Sequence, residues 1–148
     1  MSGLRERVNE ELKTAMKARD QLKVDTFRLL NSDLKKIEID ERRTLEDKDV
    51  LQVIQKSIKR RQETIEFAKT QNRPEIAEKE AAEQKILETL LPPQLDEAAL
   101  IATIEAVIKE VAATTKKEQG KVMAALMPKI QGKADGKLVA KLVGERLA

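Results

Sequence analysis

Apolar residues recur every three or four positions along most of the chain, the spacing of one face of an α-helix. Leu4, Val8, Leu12, Ala15 and Met16 form a first stripe. Val24, Phe27, Leu30, Leu34 and Ile37 form a second after Asp20. Asp20 either caps that second helix or lies at a bend in one longer helix. Residues 40–43 break the pattern, and Thr44 with Asp47 three residues on predicts a capping box with a short acid. The third helix carries Val50, Val53, Ile54, Ser57, Ile58, Ile65 and Ala68 and is expected to reach about Gln71. Asn72-Arg73-Pro74 is a stop and restart, because proline is tolerated only in the first turn of a helix. The fourth helix continues through Ile76, Ala77, Ala81, Leu87 and Leu90.

Leu91-Pro92-Pro93-Gln94 is the sharpest interruption, since two prolines force extended backbone and supply no N–H. Beyond it, Asp96 is an N-cap candidate, with Leu95 and Leu100 placed for a hydrophobic staple. Helix five holds Leu100, Ile101, Ile104, Val107, Ile108 and Val111. Thr115 and Glu118 predict a capping box for helix six, with Val122, Met123, Leu126 and Met127 on its stripe and Pro128 ending or kinking it. Gln131 to Gly136 reads as a turn, and Asp135 as the cap of helix seven, which carries Leu138, Val139, Leu142, Val143 and Leu147. No segment shows the alternation of a strand. The expected fold is therefore all-α: an N-terminal helical domain of about four helices over residues 1–91, a Pro-rich linker at 92–95, and a small three-helix C-terminal domain over 96–148.

Composition narrows the chemistry. The chain has no Cys, His, Trp or Tyr, and its aromatics are Phe27 and Phe67 alone. Disulfides, thiolate nucleophiles and cysteine–zinc sites are excluded. The commonest general base and transition-metal ligand are missing as well. Both phenylalanines fall on apolar stripes, so the expectation is that neither stacks on a nucleic-acid base. The serines, Ser2, Ser32 and Ser57, have no evident basic partner for nucleophilic catalysis. The carboxylates are interleaved with Lys and Arg. The expectation is a chain that is not an enzyme on its own, with no catalytic residues, no cofactor and no metal. No apolar run reaches membrane-spanning length. The opening Met1-Ser2-Gly3-Leu4-Arg5-Glu6-Arg7 lacks the apolar segment of a signal peptide, so a cytoplasmic location is expected.

The net charge of +3 conceals an asymmetry. Residues 1–93 carry 20 Lys and Arg against 19 Asp and Glu, whereas residues 114–148 carry eight against three. Lys121, Lys129, Lys133, Lys137 and Lys141 lie on or around one helix–turn–helix unit, with Lys137 and Lys141 one turn apart. Gly132 and Gly136 flank the turn and would let a phosphate approach backbone N–H groups. That pattern suits a nucleic-acid backbone; on physics alone a solvated lysine face with ordinary turn glycines is the commoner cause of such a cluster. Gly132-Lys133 is not a P-loop, since Met127 stands at the required glycine and Ala134 follows the lysine. Lys59-Arg60-Arg61-Gln62, with Lys35-Lys36 and Arg42-Arg43, reads as a solvated face or as a second phosphate-contact surface.

Several stretches resemble a known family. Gly120-Lys121-Val122-Met123, Leu126-Met127-Pro128-Lys129 and Gly132-Lys133-Ala134-Asp135-Gly136-Lys137 are similar to the C-terminal signature of the YqeY proteins. Leu87-Glu88, Leu90-Leu91-Pro92 and Gln94-Leu95 match it too, as do Ala15-Met16-Lys17 and Arg28-Leu29-Leu30. Ala124 departs from the family, where Gly or Lys is common. The resemblance implies an all-α GatB/YqeY-type fold, related to the tail of the GatB subunit of tRNA-dependent amidotransferase. That tail engages tRNA while other regions use glutamine and ATP to amidate misacylated tRNA. The family carries the label of a glutamine-dependent carbon–nitrogen ligase, but this chain resembles only the appendage. The resulting expectation is a non-catalytic accessory module of translation that binds tRNA or another structured RNA. The alternative is an adaptor that docks on a synthetase or amidotransferase subunit through its long charged helices. Neither reading involves a membrane.

Overall fold

The computed structural model describes residues 3–148. The described residues form seven α-helices and one short 3-10 turn, with no strand. The fold is all-α. The chain divides into two compact units, one ending at Leu91 and the other running from Pro92 to Ala148.

The first unit contains α1 (Gly3–Ala18), α2 (Gln21–Glu41), α3 (Asp47–Thr70) and α4 (Pro74–Glu88). Asp20 resolves the first junction. Its side chain accepts the Lys23 N–H, so it is an N-cap. Arg19 before it sits in the left-handed region at φ 57°, and α1 and α2 are separate helices. The start of α3 lies two residues later than Thr44 and Asp47 suggest. Glu46 is the N-cap residue, and the Asp49 carboxylate accepts its N–H at 2.8 Å. Asp49 prevails because Arg43 reaches back to it, donating Nη1 to Oδ2 at 2.8 Å and so fixing the carboxylate over the helix start. Leu45, just before that start, is buried. Pro74 is the first residue of α4, where its missing N–H would have had no helical partner.

The core of this unit joins Val8 and Ala15 of α1, Val24, Phe27, Leu30 and Leu34 of α2, Val50 and Ile54 of α3, and Leu87 and Leu90 near the end of α4. A smaller cluster, Ile65, Ala68 and Ala77, joins the C-terminal part of α3 to the N-terminal part of α4. Two arginines are buried as well. Arg5, on α1, donates to Glu38 at 2.9 Å and to Asn31 at 2.8 Å on α2. Arg61, on α3, donates to Glu80 at 3.0 Å and also pairs with Glu83, both on α4. A buried guanidinium is tolerated only where carboxylates and amides replace its water. Arg61 thus belongs to the α3–α4 packing, which removes it from the basic surface suggested by Lys59-Arg60-Arg61.

Three stripe residues are not covered. Met16 is half-exposed, Ile76 is partly exposed, and the Phe67 side chain stands 66% accessible. The exposed Phe67 corrects the expectation that both aromatics are buried. Ile65 and Ala68 turn toward α4, and Phe67 between them in sequence does not share their face.

The second unit contains α5 (Glu97–Val111), a 3-10 turn (Lys116–Glu118), α6 (Gln119–Ile130) and α7 (Gly136–Arg146). Asp96 caps α5 through the Ala99 N–H at 2.7 Å. Thr115 and Glu118 do not open α6 directly. The Glu118 carboxylate folds back to the Thr114 N–H at 3.3 Å, and the 3-10 turn comes before the helix. Pro128 lies inside α6, two residues from its end. The core is wholly aliphatic: Leu100, Ile104 and Val107 of α5, Val122, Leu126 and Ile130 of α6, and Val139, Leu142 and Val143 of α7, with Ala113 and Leu147. Met127 and Leu138, expected on the core stripes, are partly exposed.

Candidate nucleic-acid interface

The α6–α7 turn is built from the backbone outward. Gly132 has φ 76°, a conformation that an L side chain enters only with strain. Its carbonyl accepts Gln94 Nε2 at 2.7 Å. The next carbonyl, that of Lys133, accepts the Leu95 N–H at 3.0 Å, and the Lys133 N–H donates to Ile130 at 2.8 Å. The segment after the two prolines therefore laces the turn. Gln94 and Leu95 are positioning residues that lysine spacing does not reveal. Their signal in the sequence is the Pro92-Pro93-Gln94-Leu95 run, which holds one backbone strand extended beside the turn.

Asp135 then starts α7, its carboxylate accepting the Lys137 N–H at 3.2 Å. Val139, Leu142 and Val143 are buried, which leaves Lys137 and Lys141 exposed on the opposite side of α7. Lys133 is half-buried at the turn. None of Lys133, Lys137 and Lys141 has a carboxylate within ion-pair distance among the described residues.

The other two lysines are placed differently. Lys129 is drawn to Glu110 of α5 at 3.1 Å. Lys121 sits in the first turn of α6, eight residues earlier, or about 12 Å along the helix axis. Glu118 lies close enough to feel its charge. That carboxyl is held below its ordinary range, chiefly by the Thr114 N–H and to a smaller extent by Lys121. The structure thus puts Lys137 and Lys141 on one side of α7 and Lys133 in the turn before it, all three without an ion pair among the described residues, whereas Lys129 is paired with Glu110.

Two of the helical glycines contrast with Gly132. Gly136 opens α7 and Gly120 lies in the first turn of α6; both are exposed, and a Cβ at either would meet no atom within 4 Å. The fold does not require glycine at these positions.

No group of three or more acidic side chains gathers as a cation site among the described residues. No described helix is long and apolar enough to cross a membrane.

A search of curated proteins returned no match. The family model described as Yqey-like protein matches residues 5–147, nearly the whole chain and both helical units. With the all-α architecture described above, this chain belongs to the YqeY-like family.

Proposed function

We propose that the chain is a non-catalytic RNA-binding accessory module of translation, with tRNA or another structured RNA as its ligand. The observation that carries this reading is the row of Lys133, Lys137 and Lys141. These are three cations without internal partners, leading from a laced turn onto the exposed side of α7. Free ammonium groups gain most from releasing the counterions of a phosphate backbone. The exposed Gly136 leaves room for that backbone beside the turn. Recognition would rest on shape and phosphates, with few groups available to read base edges. Lys129 contributes less, because an RNA phosphate would have to displace Glu110. The side-chain inventory lacks Cys and His, the commonest thiol nucleophile and general base of acyl-transfer chemistry. Given glutamine, ATP and Glu-tRNA, the purified chain should form no Gln-tRNA.

The test is a filter-binding titration with total tRNA across a salt series. The wild type should bind at low salt, with affinity falling steeply as salt rises. Lys133→Glu/Lys137→Glu should weaken binding at least tenfold and flatten the salt slope by about two ions. Equal affinities would rule out this site, and no binding at low salt would rule out the reading.

A further inference from the structure

The RNA reading leaves the outer side of α2 unused. Arg28-Leu29-Leu30 divides there: Leu30 is core, while Arg28 and Leu29 face outward, Leu29 at 54% exposure. One to three turns on, Ser32, Lys35, Lys36 and Ile39 are also exposed, and Ile39 reaches 73%. Around Ser32 the long side chains of Arg28, Lys35, Lys36 and Ile39 enclose a shallow depression of about 570 Å³. Asp40 lines its C-terminal end. Arg28, Lys35 and Lys36 have no ion-pair partner among the described residues. Of the nearby acids, Asp33 pairs with Arg60 of α3, Glu38 pairs with Arg5 of α1, and Asp25 accepts from Gln21.

Two properties of this side of α2 select the occupant. Three unneutralised cations call for negative charge. Leu29 and Ile39, the two most exposed aliphatics of the helix, call for apolar contact, which a phosphate backbone does not supply. An acidic amphipathic helix supplies both. Its apolar residues would rest on Leu29 and Ile39, and its carboxylates would meet Arg28, Lys35 and Lys36. Ser32, the small residue between them, lets the partner backbone come close. We infer that the outer face of α2 is a docking surface for an acidic amphipathic helix of a protein partner. The inference does not depend on the RNA reading, which concerns other residues in the other unit.

The probe is a synthetic peptide of about 18 residues, five helical turns, with leucine along one side and glutamate flanking it. It is titrated into the full isotope-labelled chain and followed by amide chemical shifts. Shifts should concentrate at Arg28, Leu29, Ser32, Lys35, Lys36 and Ile39. Lys35→Glu/Lys36→Glu should weaken the peptide at least about tenfold. Leu29→Ser/Ile39→Ser should weaken it several-fold, and circular dichroism should show both variants fully helical, since the substituted residues are exposed. Three outcomes overturn the proposal. The α2 amides stay unmoved at millimolar peptide; or binding ignores the aliphatic substitutions, which makes the face a simple polyanion site; or the charge reversal instead abolishes binding to total tRNA or to phosphatidylserine vesicles while sparing the peptide.

Discussion

The two units use charge in opposite ways. Every buried polar or charged side chain among the described residues, namely Arg5, Thr26, Ser57, Arg61 and Glu83, lies in the first unit. The second unit buries only aliphatic side chains and leaves its lysines exposed, apart from the half-buried Lys133. In the first unit, ion pairs join one helix to the next: Arg5 links α1 to α2, and Arg61 links α3 to α4. Those charges are consumed by packing, and the unit is near neutral. In the second, the buried core is complete without charge and the inter-helix pairs Lys129–Glu110 and Arg146–Glu105 lie outside it, while Lys133, Lys137 and Lys141 carry no such pair. Net charge per unit is therefore a poor guide to a binding surface. What matters is how many charges the fold has already used.

The sharpest way to break that contrast is to remove a buried charge. Arg61→Ala leaves Glu83 buried without its partner and should cost about 3–5 kcal/mol. The loss should appear in hydrogen exchange as deprotection of α3 and α4. Arg61→Leu/Glu83→Leu removes both charges and should recover most of that stability; a double variant as unstable as the single one would mean that volume, not charge, governs the site. The counterpart in the second unit is Leu126→Ala, which creates an aliphatic cavity and should cost about 2–5 kcal/mol. Its effect should be the same at pH 4 and pH 7, because no titratable group is buried beside it.

Gly132→Ala comes next. At φ 76° an alanine is strained, and the turn should lose about 1 kcal/mol with the lysines untouched. Gly120→Ala, which has open space, should instead add about 0.5–1 kcal/mol. If both substitutions destabilised alike, the distinction drawn between these glycines would fail.

A smaller effect lies in acid. Arg43, and then the Glu46 N–H, hold the Asp49 carboxyl at about 2, below its ordinary 3.8. A carboxyl depressed by folding stabilises the native state fully above its unfolded value. Its contribution should therefore be intact above about pH 4 and disappear as pH falls through about 2. Asp49→Asn should flatten thermal stability across that window, and salt should shrink the difference, since the pair is largely solvated. Least of all, Lys137→Glu/Lys141→Glu should change stability by less than about 0.5 kcal/mol while weakening RNA binding. A large loss of stability would place these lysines among the packing charges and erase the comparison.

Much of the secondary structure was legible. Three of the caps, Asp20, Asp96 and Asp135, act through bonds within three residues, which a linear pattern contains. Pro74 at the first residue of α4 is equally local. The α3 start was missed by two residues because Arg43, six residues from Asp49, decides which acid covers it. Of the candidate site, the lysine positions were readable, but their grouping was not. Lys129 and Lys133 look alike in sequence, yet only Lys129 has Glu110 of another helix within reach. The two prolines mark Gln94 and Leu95 as extended, but nothing local says that they bond to a turn 38 residues away.

By itself, then, the sequence determined an all-α chain, the side of each helix that seeks burial, most helix ends, and the lack of thiol and imidazole chemistry. Each of these follows from side-chain identity and from interactions spanning a turn or less. Tertiary structure decided which charged residues are buried and which apolar ones are left outside. Arg5 and Arg61 are enclosed because carboxylates on neighbouring helices meet them, whereas Phe67, Leu29 and Ile39 stay exposed because no helix of their own unit covers them. Helical periodicity states a preference for burial. Whether it is met depends on contacts far apart in the chain, which no local pattern encodes.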